Sequence, residues 1–247
     1  MFKNITLKVG LFCIAVLTLS DAAHASTSTV SGASVTKGQS SVEARMSYSA
    51  NDEGGSNEDR VRARIHYDYG VTDFYAIRTI VAVDKRKGDN HEFDSLTIEN
   101  RFQLLNKKRD GWDLGVRLNY TQKDGDKSPS EMRVQFIQDI PYENWSLRLN
   151  ELFDHDVGED ATGVVSIETR AQLTYKFENG QRFGLESFNN FGRMNDLNGF
   201  DNQSHTLGPV AKGAFFNTGL GYETAWRVGI SDAAADHAVL FAISKKF

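Results

Sequence analysis

Five ionisable side chains fall on alternate positions of one short run: Arg60, Arg62, Arg64, His66 and Asp68. A strand turns successive side chains to opposite faces, so this spacing gathers all five on one face and puts Val61, Ala63, Ile65, Tyr67 and Tyr69 on the other. A helix would join Val61 to Ile65 but leave Ala63 and Tyr67 on the wrong side. The arginine fork is planar, stays charged when partly desolvated and grips carboxylates through two donors, so the row suits anion binding. The same register puts twelve of the fifteen arginines on a polar face: Arg45, Arg60, Arg62, Arg64, Arg78, Arg101, Arg117, Arg133, Arg148, Arg170, Arg182 and Arg227. The acids on that face are Glu43, Asp68, Asp84, Glu99, Asp113, Glu168, Glu186 and Glu223, whereas the lysines fall mostly in turns and loops.

Groups suited to catalysis are sparse. Asp154-His155-Asp156, followed by Glu159-Asp160, could activate water or bind a divalent cation. A solvated acidic loop tip is the plainer reading, because no Ser–His constellation or second Asp pair can be placed beside it. An outer-membrane phospholipase needs Ser and His two apart on an outward strand face. His66 points inward and His91 lies in a loop, while His205 and His237 have Leu207 and Val239 two positions on. Asp52 to Asp59 could hold calcium or the cations that bridge lipopolysaccharide, but an ordinary solvated loop is much the plainer reading. No enzyme activity, metal site or cofactor is expected.

The elements that position these residues begin after an export signal. Lys3 and Lys8 precede a short apolar stretch, Val9 to Leu19, and Ala23-His24-Ala25 is an A-x-A cleavage site, so residues 1–25 read as a cleaved signal peptide. Cleavage removes Cys13, the only cysteine, which excludes a disulfide scaffold. It also takes the formal charge from -5 to -6, and that acidity argues against nucleic acid as a partner. Residues 26–40 are mostly Ser, Thr and Gly and read as a flexible leader. Residues 41–247 carry the period-two signal.

Strands are predicted at 41–49, 60–69, 74–84, 94–105, 111–121, 131–140, 145–154, 164–177, 182–191, 204–212, 217–230 and 237–247. Short turns alternate with longer polar loops, the pattern of an up-and-down outer-membrane barrel whose short turns face the periplasm. Twelve strands bring both chain ends to the short-turn side. Pro209 and Gly208 make 204–212 the weakest of them, so ten or fourteen strands stay open. A helical membrane protein is excluded, since only the first twenty-odd residues approach a spanning length. The mean hydropathy of -0.44 fits the average of an apolar and a charged face.

A membrane barrel is favoured over a soluble one by aromatics near strand ends on the apolar face, among them Tyr67, Tyr69, Trp112, Tyr120, Trp145, Phe153, Tyr175, Phe177, Tyr222 and Trp226. The chain also ends on Phe247, with Val239, Phe241 and Ile243 on the same face. This resembles the C-terminal recognition strand of bacterial outer-membrane proteins, which implies the barrel-assembly machinery as a partner; Lys245 departs from that pattern. The fold class is therefore an all-β transmembrane antiparallel barrel in the outer membrane of a Gram-negative bacterium, in contact with lipid and lipopolysaccharide and expected to be a monomer.

An arginine-studded interior has two meanings. Its charges can pair and fill a closed structural or surface-interaction barrel. They can instead line a porin-like channel for small anionic solutes. The pore-lining residues would then be the arginines from Arg60 to Arg227 together with Glu99, Glu168, Glu186 and Glu223. The balance leans to the pore because arginines outnumber the acids placed inside. With its signal peptide, its roughly twelve strands and Glu58-Asp59-Arg60-Val61 opening the second strand, the chain is similar to the small monomeric oligogalacturonate-specific porins. That resemblance implies passive uptake of acidic oligosaccharides along an arginine track and carries over Arg60 alone.

Overall fold

The computed structural model describes residues 27–50, 59–86, 88–124, 128–158, 161–197, 199–215 and 218–247. Residues 1–25, expected to be a signal peptide, Glu159-Asp160 and most of the Asp52–Asp59 stretch lie outside these residues. Twelve long strands form one antiparallel sheet: β1 (Ser40–Ala50), β2 (Arg60–Gly70), β3 (Tyr75–Lys85), β4 (Glu92–Leu105), β5 (Asp113–Lys123), β6 (Ser130–Tyr142), β7 (Trp145–Val157), β8 (Val165–Lys176), β9 (Arg182–Arg193), β10 (Ser204–Ala214), β11 (Leu220–Gly229) and β12 (His237–Lys246). Each pairs with its neighbours in chain order, and β12 pairs with β1, so the sheet closes into a barrel with no free edge. Two-residue pairing of Asp196–Leu197 with the end of β9 extends one long loop beyond the barrel.

The alternation in sequence becomes inside and outside. Ile65 is 61% exposed on the barrel wall, and Val81, Leu118, Phe136, Leu185 and Phe241 are exposed with it, while Arg62, Glu99, Arg117 and Glu186 are buried. Large apolar side chains outside and charged ones inside reverse the distribution of a water-soluble domain and match a wall set in lipid. Tyr67, Tyr69, Tyr120, Trp145, Phe177 and Trp226 are exposed on that wall too.

Pro209 sits within β10 without ending it. The ladder to β9 runs unbroken through Gly208 and Pro209, whereas the register to β11 skips both residues, so the missing N–H costs pairing on one side only. Gly208 faces inward between Glu186 of β9 and Arg227 of β11, and a Cβ there would collide with the Trp226 carbonyl. The absent side chain lets those two charged residues meet across the intervening strand.

The segment read from sequence as a flexible leader is placed differently. Residues 27–39 rise from the short-turn rim into the barrel and cross the lumen at mid-height, with Thr27, Ser28, Thr29, Val30 and Ala33 buried. Its Ser/Thr/Gly composition gives no apolar period because its main contacts are made by backbone groups and small side chains, which carry no pattern in sequence.

Candidate functional site: an arginine-lined lumen crossed by residues 27–39

All twelve arginines of the predicted polar face point into the barrel. Toward the long-loop end, Arg60 Nη2 lies 2.7 Å from Asp84 and Arg62 Nη2 2.6 Å from Asp94, while Arg133 meets Asp154 and Glu131. At mid-height, Arg78 reaches Asp68 at 2.8 Å and Glu99 at 3.3 Å, Arg117 reaches Glu99 at 3.0 Å, and Arg101 reaches Asp68 at 3.1 Å. Arg45 pairs with Glu43 at 2.5 Å, Arg170 with Glu168 at 2.6 Å and Arg227 with Glu186 at 2.6 Å. Nearer the short turns, Arg148 holds Asp139 at 3.0 Å, and Arg182, Lys212 and Glu223 stand around a mouth cavity of about 280 Å³. Asp113 accepts from Gln103 and Ser34 below the arginine rows.

Sequence reasoning missed four inward acids. Glu131 and Asp139 face inward by the same alternation of β6 that places Arg133. Asp154 was read as part of a loop tip. Asp94 could not be read from alternation: the β3–β4 register shifts where Ala82 faces Ser95 and Val83 faces Phe93, so Asp94 is the extra residue of a bulge, re-aimed onto Arg62. With these acids the expected surplus of arginine over carboxylate disappears across the whole lumen. It survives locally. A chamber in the long-loop half, about 70 Å³, is lined by eight Arg or Lys side chains and two acids, Glu99 and Glu131.

The crossing segment supplies the floor of that chamber through Ser28, Thr29 and Ser31. Arginines hold it by its carbonyls: Arg227 donates to Ser28 O at 2.7 Å, Arg170 to Thr29 O at 3.4 Å and Arg45 to Thr27 O at 3.3 Å. Asn150 grips Ser31 from both sides, accepting from its N–H at 2.8 Å and donating to its carbonyl at 3.1 Å. Ala33 packs against the bare Cα of Gly115, where a Cβ would come within 2.9 Å of the alanine methyl, and a Cβ at Gly70 would strike the Thr36 carbonyl. Lower down, Gln103 accepts from Val35 N–H and Gly38 N–H donates to Gly70 O. Asn150→Leu strands the Ser31 amide and carbonyl, two hydrogen bonds of roughly 1 kcal/mol each. Added protease is expected to cut within 27–37 about thirtyfold faster in this variant while the barrel stays intact; cleavage at the wild-type rate would show that Asn150 does not hold the segment.

The enzyme candidates come apart. Asp154 turns inward to Arg133, His155 is exposed on the opposite face, and Asp156 accepts from Thr162 3.0 Å away, so strand geometry separates the Asp–His pair. His205 is outward but covered: Phe200 stacks on its ring, and its two nitrogens lie 3.0 Å from Asn189 Oδ1 and 2.9 Å from Gln203 Oε1. With both nitrogens engaged by amides, the imidazole is not presented to a serine hydroxyl. Among the described residues there is no grouping of three His, Cys, Asp or Glu side chains able to hold a metal ion.

No family model and no curated protein matches the chain. Solved structures do. An outer membrane channel from Pseudomonas putida F1 superposes with a TM-score of 0.64 at 11% identity, over 89% of this chain and 99% of that one. The Acinetobacter baumannii outer membrane protein Omp33 gives a TM-score of 0.45 at 11% identity, over 88% and 99% of the two chains. At such identities the likeness speaks for the fold, and the Pseudomonas structure carries it. The closed sheet, the lipid-facing wall and that likeness agree that the chain is a 12-stranded barrel of the bacterial outer-membrane type.

Proposed function

We propose that the protein is a narrow outer-membrane channel that passes small anionic solutes. The supporting observation is the long-loop chamber, where eight basic side chains face the space and two acids do. A solute inside the chamber is surrounded mainly by guanidiniums, and cations are repelled from the same space. The pore-lining set expected from sequence fits this route in part: Arg62, Arg64, Arg78, Arg117, Arg133, Arg170 and Glu99 border the chamber, and Arg148, Arg182 and Glu223 border the short-turn mouth. The cargo class is set by charge; oligogalacturonate is one member of it. No catalytic step belongs to this reading.

In a planar bilayer under a salt gradient, the reversal potential is expected to carry the sign of anion preference, and Arg62→Ala with Arg64→Ala to move it toward zero by roughly half. Cation-favouring steps, or a double variant identical to wild type, would remove the proposal. A second reading has its own observation: ion pairs and residues 27–33 fill the middle of the lumen, as in a closed structural barrel. Complete absence of conductance steps favours that one.

The C-terminal strand supports the assembly reading. β12 closes the barrel against β1, Phe247 N–H donates to Ser40 O, and the Lys245 ammonium lies 5.4 Å from the Phe247 ring centre. Phe241 and Phe247 are exposed on the lipid side, where assembly factors could read them.

A further inference from the structure

We propose that Arg64 is the centre of a binding site, within the long-loop chamber, for one compact oxyanion group, a phosphate or a carboxylate. The inference rests on the channel reading for the ligand's route of entry; the site itself needs only the chamber.

Arg64 faces inward on β2 between two other cations, Arg62 on its own strand and Arg45 directly across the β1–β2 pair. Those two have their acids: Arg62 holds Asp94, and Arg45 holds Glu43. Arg133, also at the chamber wall, holds Asp154 and Glu131. Arg64 makes no ion pair and no hydrogen bond among the described residues, and its Nε is shut off from solvent. Directly opposite it on β3, where a carboxylate would neutralise it, stands Ala82, a methyl group that leaves space instead of charge. His66, 3% exposed and two positions along the same face, has no hydrogen bond to its Nε2.

A half-buried guanidinium beside two like charges is unfavourable without a counter-anion. Among the described residues no carboxylate is paired with Arg64, so the place is left to an anion from solution. The open volume, about 70 Å³, has room for about five waters, or for one tetrahedral or planar oxyanion in their place. The planar fork of Arg64 would hold it through two parallel N–H bonds. Arg45 and Arg133 add long-range attraction, and the Ser28 and Thr29 end of the crossing segment closes the site below.

The test uses the full mature chain purified in detergent at low salt, titrated calorimetrically with inorganic phosphate and, separately, with acetate. One saturable site for at least one of them is expected, weakened at least tenfold by Arg64→Gln and partly restored by Arg64→Lys. Heat-modifiable migration checks that each variant is folded. Arg109→Gln, which alters an exposed arginine paired with Asp110 in a short turn, is expected to bind as wild type does. The two titrants decide between phosphate and carboxylate. Saturation by neither, equal binding by Arg64→Gln, or an equal loss in Arg109→Gln overturns the site. Binding lost with Arg64 in a barrel that shows no conductance keeps the site and removes the channel; anion-selective steps without saturable binding do the reverse.

Discussion

Removing residues 27–37 is expected to raise the unitary conductance of the barrel several-fold. Twelve strands enclose a lumen wider than the side-chain-filled eight-stranded case and narrower than that of sixteen-stranded porins, so one extended chain across it takes a large share of the cross-section. The segment lies between the long-loop chamber and the short-turn mouth, and its deletion joins the two spaces. It also releases three guanidiniums, on Arg45, Arg170 and Arg227, from the carbonyls of Thr27, Thr29 and Ser28. Each keeps its carboxylate, so the barrel persists while the bore gains exposed donors, and anion preference should strengthen as the steps grow. Single-channel recording of the two proteins side by side checks it. Steps of unchanged size would mean that the segment does not obstruct the path; large steps from the deleted form beside a silent full-length chain would identify the closed barrel, plugged by its own N-terminal region.

The wall of this barrel was legible residue by residue because lipid and lumen enforce a strict period of two. Arg60 to Tyr69 is the clearest stretch, and the inward placement of all twelve arginines follows from the same alternation. The faint strand 204–212 exists because Pro209 loses only the bond facing β11. What stayed hidden has physical reasons. Asp94 is displaced from the alternation by a bulge, and bulges leave no mark in a period-two pattern. The crossing segment is held through the backbone of Ser28, Thr29, Ser31 and Val35, and backbone groups are the same in every residue. The isolation of Arg64 depends on which carboxylates other arginines have already taken, a property of three-dimensional pairing that spacing alone does not express.

Glu186→Ala is expected to cost about 3–5 kcal/mol, the largest loss from any single change considered, because it leaves the guanidinium of Arg227 buried without its carboxylate. The side chains of Arg227 and Glu186 are 1% and 0% exposed, and Arg227 Nε donates to Glu186 Oε1 at 2.7 Å. Gln172 donates to the other carboxylate oxygen at 2.9 Å, and the Phe188 ring centre lies 3.9 Å from the guanidinium carbon. The cluster thus ties β8, β9 and β11 together over the bare Cα of Gly208, and through Ser28 it ties the crossing segment to the wall. Guanidinium-induced unfolding in lipid vesicles measures the loss. The partner change should separate the two contributions: Glu186→Met combined with Arg227→Met removes both charges at once and is expected to recover most of the stability, since the desolvation cost disappears with the attraction. A single variant losing less than about 1 kcal/mol would mean that water reaches the pair, as it does at an exposed ion pair. The double variant has a second consequence. It restores packing but not the Arg227 bond to Ser28, so the barrel would regain its resistance to denaturant while the crossing segment stays less firmly held.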